Sequence, residues 1–263
     1  MRIGLGPIPL KNATRIQLER FGQEAVASSF DAVWLGESRG EGVGGGLAAA
    51  ALVAQAVPIR VGAVVDAGLY HPLHLAEDIA IADLTSQGRI EVLLRFFSPE
   101  ANSRYGASTA RDWCDDFLNV LALALSGAHF QWNGKHLKVP ARIEANQPAP
   151  ERLALNPATA QPAVPIWIQA SDMWMADLAR ERGFGLARNF KPGTPVPAAN
   201  GRWTGMLLCP NDVQPAEALA AAGEIGAYFV VAAENLAQVT SAGRLLGGPL
   251  RMPDFPAWIN QQQ

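Results

Sequence analysis

Side chains able to do acid–base or anion-binding chemistry stand directly after several apolar runs of this chain. Those that we select are Glu37, Arg39, Asp66, Arg95, Gln169 and Ser171. A carboxylate such as Glu37 can accept a proton, and the guanidinium of Arg39 can stabilise an anionic oxygen or a deprotonated ring. Ser171 opens a helical pattern, so its hydroxyl and the N–H groups of that first turn can hold a phosphate. These residues form one site only if the fold brings the ends of the runs together.

Other familiar chemistries are missing from the sequence. There is no GxSxG motif, no P-loop and no nucleophile with a paired base. The four histidines have no metal-ligand spacing, and Cys114 and Cys209 lie far apart without zinc or redox spacing. We therefore predict no metal site.

The composition is that of a globular protein with a large core. Of 263 residues, 49% are hydrophobic and 17% are charged, and the formal net charge is −3. No basic run is present, which argues against a nucleic-acid partner. The N-terminus reads as a strand rather than a secretion signal, and no apolar run is long enough to span a membrane. A reduced, cytoplasmic protein that acts on a small molecule is expected.

The stretch 59–96 predicts a strand, a helix and a second, parallel strand. Residues 59–65 are apolar and rich in β-branched side chains, Pro72 suits the first turn of a helix, and Gly88 ends it. A unit of this length forms a right-handed crossover between parallel strands. Asp83 falls in the apolar stripe of the helix, and we predict that it pairs with Arg89.

Along the whole chain, the pattern predicts eight strands alternating with helices. The strands are 2–8, 31–37, 59–65, 89–95, 165–170, 184–189, 204–209 and 227–233. We predict one (β/α)8 TIM-barrel domain over residues 1–263, with a shortened C-terminal third. A hairpin turning at Asn133-Gly134 and an irregular insertion over 140–163, interpreted as a lid, precede strand five. A doubly wound sheet is the alternative, although no GxGxxG follows the first strand.

Several segments resemble one family in the same order along the chain. They are DAVWLGE at 31–37, HPLHLAEDIAIADLTSQGR at 71–89, DFLNVLALALSG with FQWNGKHLKV at 116–139, and PAVPIWIQASD at 162–172. Over about residues 1–185, the chain is similar to the bacterial-luciferase-like family of flavin- or deazaflavin-dependent TIM barrels. The resemblance implies an oxidoreductase or monooxygenase that uses FMN, or alternatively coenzyme F420 for hydride transfer only, on a small organic substrate.

The resemblance also implies roles for individual residues. Glu37 and Arg39 stand where the family often has a histidine near the reactive ring atoms, and they are the predicted catalytic residues. The strand-three end is expected to form a shelf under the ring, with a strained and often cis peptide. Ser171 is expected at the cofactor phosphate, with the charge of Arg95 nearby. The full predicted cofactor-binding set is Val65, Asp66, Ala67, Arg95, Gln169, Ser171 and Trp174.

A non-catalytic barrel with weak or no flavin binding is the rival interpretation. Arg95 stands one position earlier than the family's arginine, and a one-residue slip turns a strand side chain to the other face. Leu93, Leu94 and Phe96 are bulky where the family has small residues.

For either interpretation, the Ala/Leu/Val-rich helix at 47–56 predicts a homodimer, because a helix that is apolar on every side needs to be covered on every side.

Overall fold

The computed structural model describes residues 2–10, 13–36, 45–96, 111–140, 152–170, 173–191, 205–209 and 228–231. Its strands are β1 (Arg2–Pro9), β2 (Ala32–Gly36), β3 (Arg60–Asp66), β4 (Ile90–Arg95), the short β5 (Trp132–Asn133) and β6 (Lys138–Val139), β7 (Ile166–Gln169), β8 (Gly185–Asn189), β9 (Met206–Cys209) and β10 (Tyr228–Val231). All except β5 and β6 form a closed barrel in the order β1-β10-β9-β8-β7-β4-β3-β2. Every neighbouring pair in the barrel is parallel. The predicted (β/α)8 barrel is confirmed, and the doubly wound alternative is excluded.

Five helices are described between the strands: α1 (Arg15–Ala27), α2 (Gly45–Ala56), α3 (Pro72–Thr85), α4 (Arg111–Leu125) and α5 (Met173–Glu181). Their starts follow local signals. Thr14 and Gln17 cap α1 reciprocally through side chain and backbone, as the sequence predicts. Pro72 occupies the first turn of α3, where its missing N–H costs nothing. After residue 191, the C-terminal third that we predict to be shortened lies outside the described residues, apart from 205–209 and 228–231.

Aromatic side chains fill the interior of the barrel. Trp34, Trp167 and Tyr228 are buried there, and Trp34 Nε1 donates a 2.7 Å hydrogen bond to the Tyr228 hydroxyl. Glycines on neighbouring strands make the room, because a Cβ added to Gly62 would lie 2.2 Å from the Trp34 ring and one added to Gly185 would lie 2.5 Å from the Trp167 ring. The barrel is therefore a packed core rather than a pore.

Buried charges close the amino-terminal end of the barrel. Arg2 donates to the Glu91 carboxylate, Arg60 Nε lies 3.6 Å from the same oxygen, and Arg60 Nη1 donates to Gln161 Oε1 at 3.0 Å. Glu91 is fully buried. These four residues, Arg2, Arg60, Glu91 and Gln161, are called the basal cluster below. The Glu91 carboxylate thus lies against two guanidinium groups at an end of the barrel that is largely closed to water.

The predicted Asp83–Arg89 pair is wrong. Asp83 is fully buried and accepts hydrogen bonds from the Gln161 backbone N–H (2.8 Å) and from Gln161 Nε2 (2.7 Å). Arg89 instead donates to the carbonyl of Ala54 at 2.6 Å. The sequence indicates correctly that the buried Asp83 carboxylate needs a partner, but that partner, Gln161, lies 78 residues away along the chain.

The segment before β7 does not form a lid where it is described. Residues 152–164 run to the amino-terminal end of the barrel, where Gln161 Nε2 also donates to the Ile90 carbonyl at 3.0 Å. The predicted hairpin is confirmed as antiparallel β5 and β6. Its turn lies at Lys135-His136, two residues later than predicted, because Asn133 pairs with Lys138 and Gly134 N–H donates to the Leu137 carbonyl at 2.9 Å. Residues 141–151 of the insertion fall outside the described ranges.

Candidate active site

Four neighbouring strands end in polar side chains that line one side of the barrel mouth. Alternation along each strand places Asp66 of β3, Arg95 of β4, Gln169 of β7 and Asn189 of β8 on the inner face, above the interior residues of the same strands. In a parallel barrel the carboxyl ends of the strands are where active sites are built. We call this row of four residues the polar arc.

The strongest interaction in the polar arc is an ion pair. Arg95 Nε donates to Asp66 Oδ1 at 2.8 Å. Asp66 is only 4% exposed, and the Arg95 side chain is 26% exposed. Arg95 Nη2 is buried and has no hydrogen-bond partner in the described part of the chain. A buried guanidinium donor without an acceptor is costly, so this atom is suited to an oxygen of a bound molecule.

The remaining two residues of the polar arc bind each other. Gln169 Nε2 donates to Asn189 Oδ1 at 3.0 Å, and neither side chain is fully buried. Asn189 was absent from the predicted cofactor-binding set. Strand alternation was the signal that could have found it, because Asn189 stands two residues after the inward-facing Ala187.

Beneath and beside the polar arc, the mouth is apolar. Val64 and Leu93 are buried in the barrel interior just below Asp66 and Arg95, and Leu208 of β9 packs against the same interior cluster. A flat ring can rest on such a surface with one edge toward the polar arc.

Two expectations about β4 are corrected. Asp66 and Arg95 are paired in register, so Arg95 faces inward and has not turned to the helix side. Leu94 and Phe96 do not crowd the mouth, because both belong to the core between barrel and helices, where the Phe96 ring lies 5.4 Å from that of Phe117. Of the bulky residues, Leu93 alone faces the interior, and it forms part of the floor.

The end of β3 also differs from expectation. The Asp66–Ala67 peptide is not among the cis bonds of the described chain, and Asp66 has an ordinary extended conformation with φ −83° and ψ 100°. The strained peptide implied by the resemblance is therefore absent. Val65 and Ala67 bury their side chains in the core between barrel and helices, so they can face the mouth only through their backbone.

The remaining predicted site residues either do not belong to the polar arc or cannot be described. Trp174 on α5 is half-buried against the outer core. Glu37, Arg39 and Ser171 lie outside the described residues, so their roles stay predictions. Within the ranges that the structure covers, no three His, Cys, Asp or Glu side chains are placed to hold a metal ion.

A histidine, His71, follows the turn after β3 and caps α3. Leu73 N–H donates to His71 Nδ1 at 3.3 Å at the start of α3. Burial, with the charge of His74 adding to it, lowers the pKa of His71 below its usual value. The imidazole is consequently neutral at pH 7, as a ring nitrogen that accepts this bond requires.

Comparison with known proteins places the chain in a family. The sequence model of the luciferase-like monooxygenases matches residues 9–197. The chain belongs to the luciferase-like monooxygenase family. No match was found among curated protein sequences. In the described part of this family member, no helix is long and apolar enough to cross a membrane.

Solved structures share the fold at low sequence identity. The monooxygenase RslO1 from Streptomyces bottropensis is 15% identical with a TM-score of 0.68, and the alignment covers 94% of this chain and 97% of that one. The coenzyme F420 dependent tetrahydromethanopterin reductase from Methanopyrus kandleri is also 15% identical, with a TM-score of 0.55 and coverage of 91% and 62%. The oxygenating constituent of 3,6-diketocamphane monooxygenase from Pseudomonas putida, in complex with FMN, is 17% identical, with a TM-score of 0.53 and coverage of 72% and 58%.

Proposed function

We propose that this family member is a flavin-dependent oxidoreductase or monooxygenase that binds FMN at the barrel mouth and acts on a small organic substrate. The observation that supports it most is the Arg95 Nη2 donor, which has no partner among the described residues and lies beside an apolar floor. A flavin presents carbonyl oxygens on one edge of an apolar ring system, and such a ring suits this combination of surfaces. The residues present therefore fit the group.

The chain supplies binding and orientation around that ring. Arg95 and Gln169 would donate to the polar edge, while Val64 and Leu93 would cover one face and exclude water from beneath. When bound, a reduced flavin supplies hydride transfer or oxygen activation.

Glu37 is proposed to accept a proton and Arg39 to stabilise an anionic oxygen. Ser171 is proposed to bind the phosphate at the start of the helix that follows β7. The buried thiols of Cys114 and Cys209 accord with a proposed cytoplasmic location.

Coenzyme F420 is the second candidate cofactor. It is supported by the shared fold with a reductase that is described as F420-dependent. An F420 enzyme would transfer hydride only, whereas an FMN monooxygenase would also consume oxygen. The two proposals are thus separable by which cofactor binds and by oxygen uptake.

Titration of the purified chain with FMN and with F420, followed by fluorescence quenching, tests the proposal. We expect saturable FMN binding, and we expect R95Q to weaken it about tenfold or more, because a hydrogen bond from a charged donor contributes ~1.5–3 kcal/mol. The matched control is R180Q, which removes an arginine from an exposed ion pair with Asp177 on α5. Tighter binding of F420 than FMN would favour the second candidate. Binding of neither cofactor would favour a non-catalytic barrel.

We also propose that the protein is a homodimer paired through α2 and α3. These neighbouring helices expose Leu52 (39%), Ile81 (53%) and Leu84 (42%). Exposed large apolar side chains on adjacent helices are typical of a surface covered by a partner. A second copy is the simplest occupant, since two such faces can cover each other across a two-fold axis.

Light scattering coupled to size-exclusion chromatography tests the dimer. The wild-type chain is expected to elute with twice the monomer mass, and I81E is expected to elute as a monomer because it places a charge in the apolar contact. I16E is the matched control, since Ile16 is the same residue type and is even more exposed (76%) but lies on α1. A monomeric wild type, or equal effects of the two variants, would contradict the proposal.

A further inference from the structure

The positive charge at the barrel mouth is already compensated. Arg95 is bound through Nε by the carboxylate of Asp66, which is almost completely buried. The other two residues of the polar arc, Gln169 and Asn189, are uncharged amides. Among the described residues that face the mouth, the charges therefore sum to zero, although one guanidinium donor is left without an acceptor.

We propose that Asp66 is a positioning residue that holds Arg95 and neutralises it, so that Nη2 donates to an uncharged carbonyl-type oxygen of the ligand and not to its phosphate. The proposal deepens the flavin-binding function and rests on it for the identity of the ligand. It replaces two expectations from the sequence, in which Asp66 belongs to a shelf and Arg95 helps to bind the phosphate.

Placing a second negative group beside the Asp66 carboxylate is costly. A phosphate bound to Arg95 would carry up to two negative charges within ~6 Å of the Asp66 carboxylate, where little water is present to screen them. A ring carbonyl or an amide oxygen has no net charge to be repelled. It can still satisfy Nη2 with a strong, charge-assisted hydrogen bond.

The orientation of Arg95 follows from the same pair. A long arginine side chain at a strand end has many rotamers, and binding it in one of them costs side-chain entropy. The Asp66 carboxylate, on the next strand and in register, restricts that freedom before any ligand arrives. Asp66 thus acts on the ligand through Arg95.

The first experiment compares FMN with riboflavin, which has the same ring but no phosphate. We expect R95Q to weaken both ligands by the same factor, about tenfold or more, and to leave the ratio of their dissociation constants unchanged. If R95Q weakens FMN alone, Arg95 binds the phosphate and the proposal is overturned. Wild-type protein that binds neither ligand would refute the flavin function but not the charge argument, which the second experiment tests without a flavin.

The second experiment titrates inorganic phosphate into the full chain by calorimetry. The D66N variant keeps an acceptor oxygen for Arg95 but removes the charge, so we expect at least about tenfold tighter phosphate binding than in wild type. The D66N/R95Q double variant should lose this gain. D177N is the matched control, because Asp177 forms an exposed aspartate–arginine pair away from the mouth.

Unchanged or weaker phosphate binding by folded D66N would show that Asp66 is only structural and would overturn the proposal. If D66N does not fold, the proposal is tested by the first experiment alone, through the ratio of the FMN and riboflavin dissociation constants in R95Q.

Discussion

Replacing Glu91 by alanine is expected to lower the free energy of unfolding by about 3–5 kcal/mol, the cost of leaving buried charges without their partner. Glu91 is fully buried in the basal cluster between Arg2 and Arg60. Burial already lowers the pKa of Arg60, and the Glu91 carboxylate opposes that effect. Without the carboxylate, the largely buried guanidinium groups of Arg2 and Arg60 would lose the ion-pair partner that they share.

Urea unfolding followed by tryptophan fluorescence measures this loss. The matched control is E19A, because Glu19 forms an exposed ion pair with Arg15 on α1 and such pairs contribute ~0–1 kcal/mol. If E91A lowers the free energy of unfolding no more than E19A does, the buried ion pairs of the basal cluster do not stabilise the barrel as expected. E91Q should fall between the two, since it keeps the shape and loses the charge.

Adding a single methyl group at Gly62 is expected to destabilise the protein by about 1–3 kcal/mol or more, as over-packing does in a filled core. The new Cβ would lie 2.2 Å from the Trp34 ring, which no small adjustment can accommodate. The indole cannot simply move aside. Its Nε1 is bound to the Tyr228 hydroxyl, and a Cβ at Gly4 on the next strand would lie only 3.0 Å from the same ring.

A double-mutant cycle with W34L separates this clash from a general effect of alanine in the strand. If the clash is the cause, G62A should cost much less in the W34L background than in wild type, because leucine leaves the space that the methyl group needs. Equal costs in the two backgrounds would show that the ring contact is not responsible. Thermal unfolding followed by circular dichroism provides the measurement.

Local patterns were sufficient for most of the fold. The cap at Thr14 and Gln17, the proline that opens α3 and the apolar runs of the strands each act within a few residues, so the sequence displays them directly. Together with the right-handed crossover rule they lead to a barrel. The hairpin is also predicted from the sequence, although its turn lies two residues later than the pattern indicates.

The errors concern contacts between distant segments. The partner of Asp83 is Gln161, and only the packed structure brings an irregular segment beneath the barrel to reach it. The pairing of Arg95 with Asp66 depends on the register between β3 and β4, which one strand read alone does not reveal. The candidate site was thus predicted as a set of strand ends, while the ion pair that organises it was not.

The filled barrel interior has a consequence for the order of events. With Trp34, Trp167 and Tyr228 packed inside and the basal cluster closing the far end, the described interior offers no back exit. Within the described part of the barrel, a molecule bound above Val64 and Leu93 can therefore enter and leave only through the mouth. A molecule that settles deepest enters first and leaves last, so turnover requires the shallower occupant to depart before the deeper one can be exchanged.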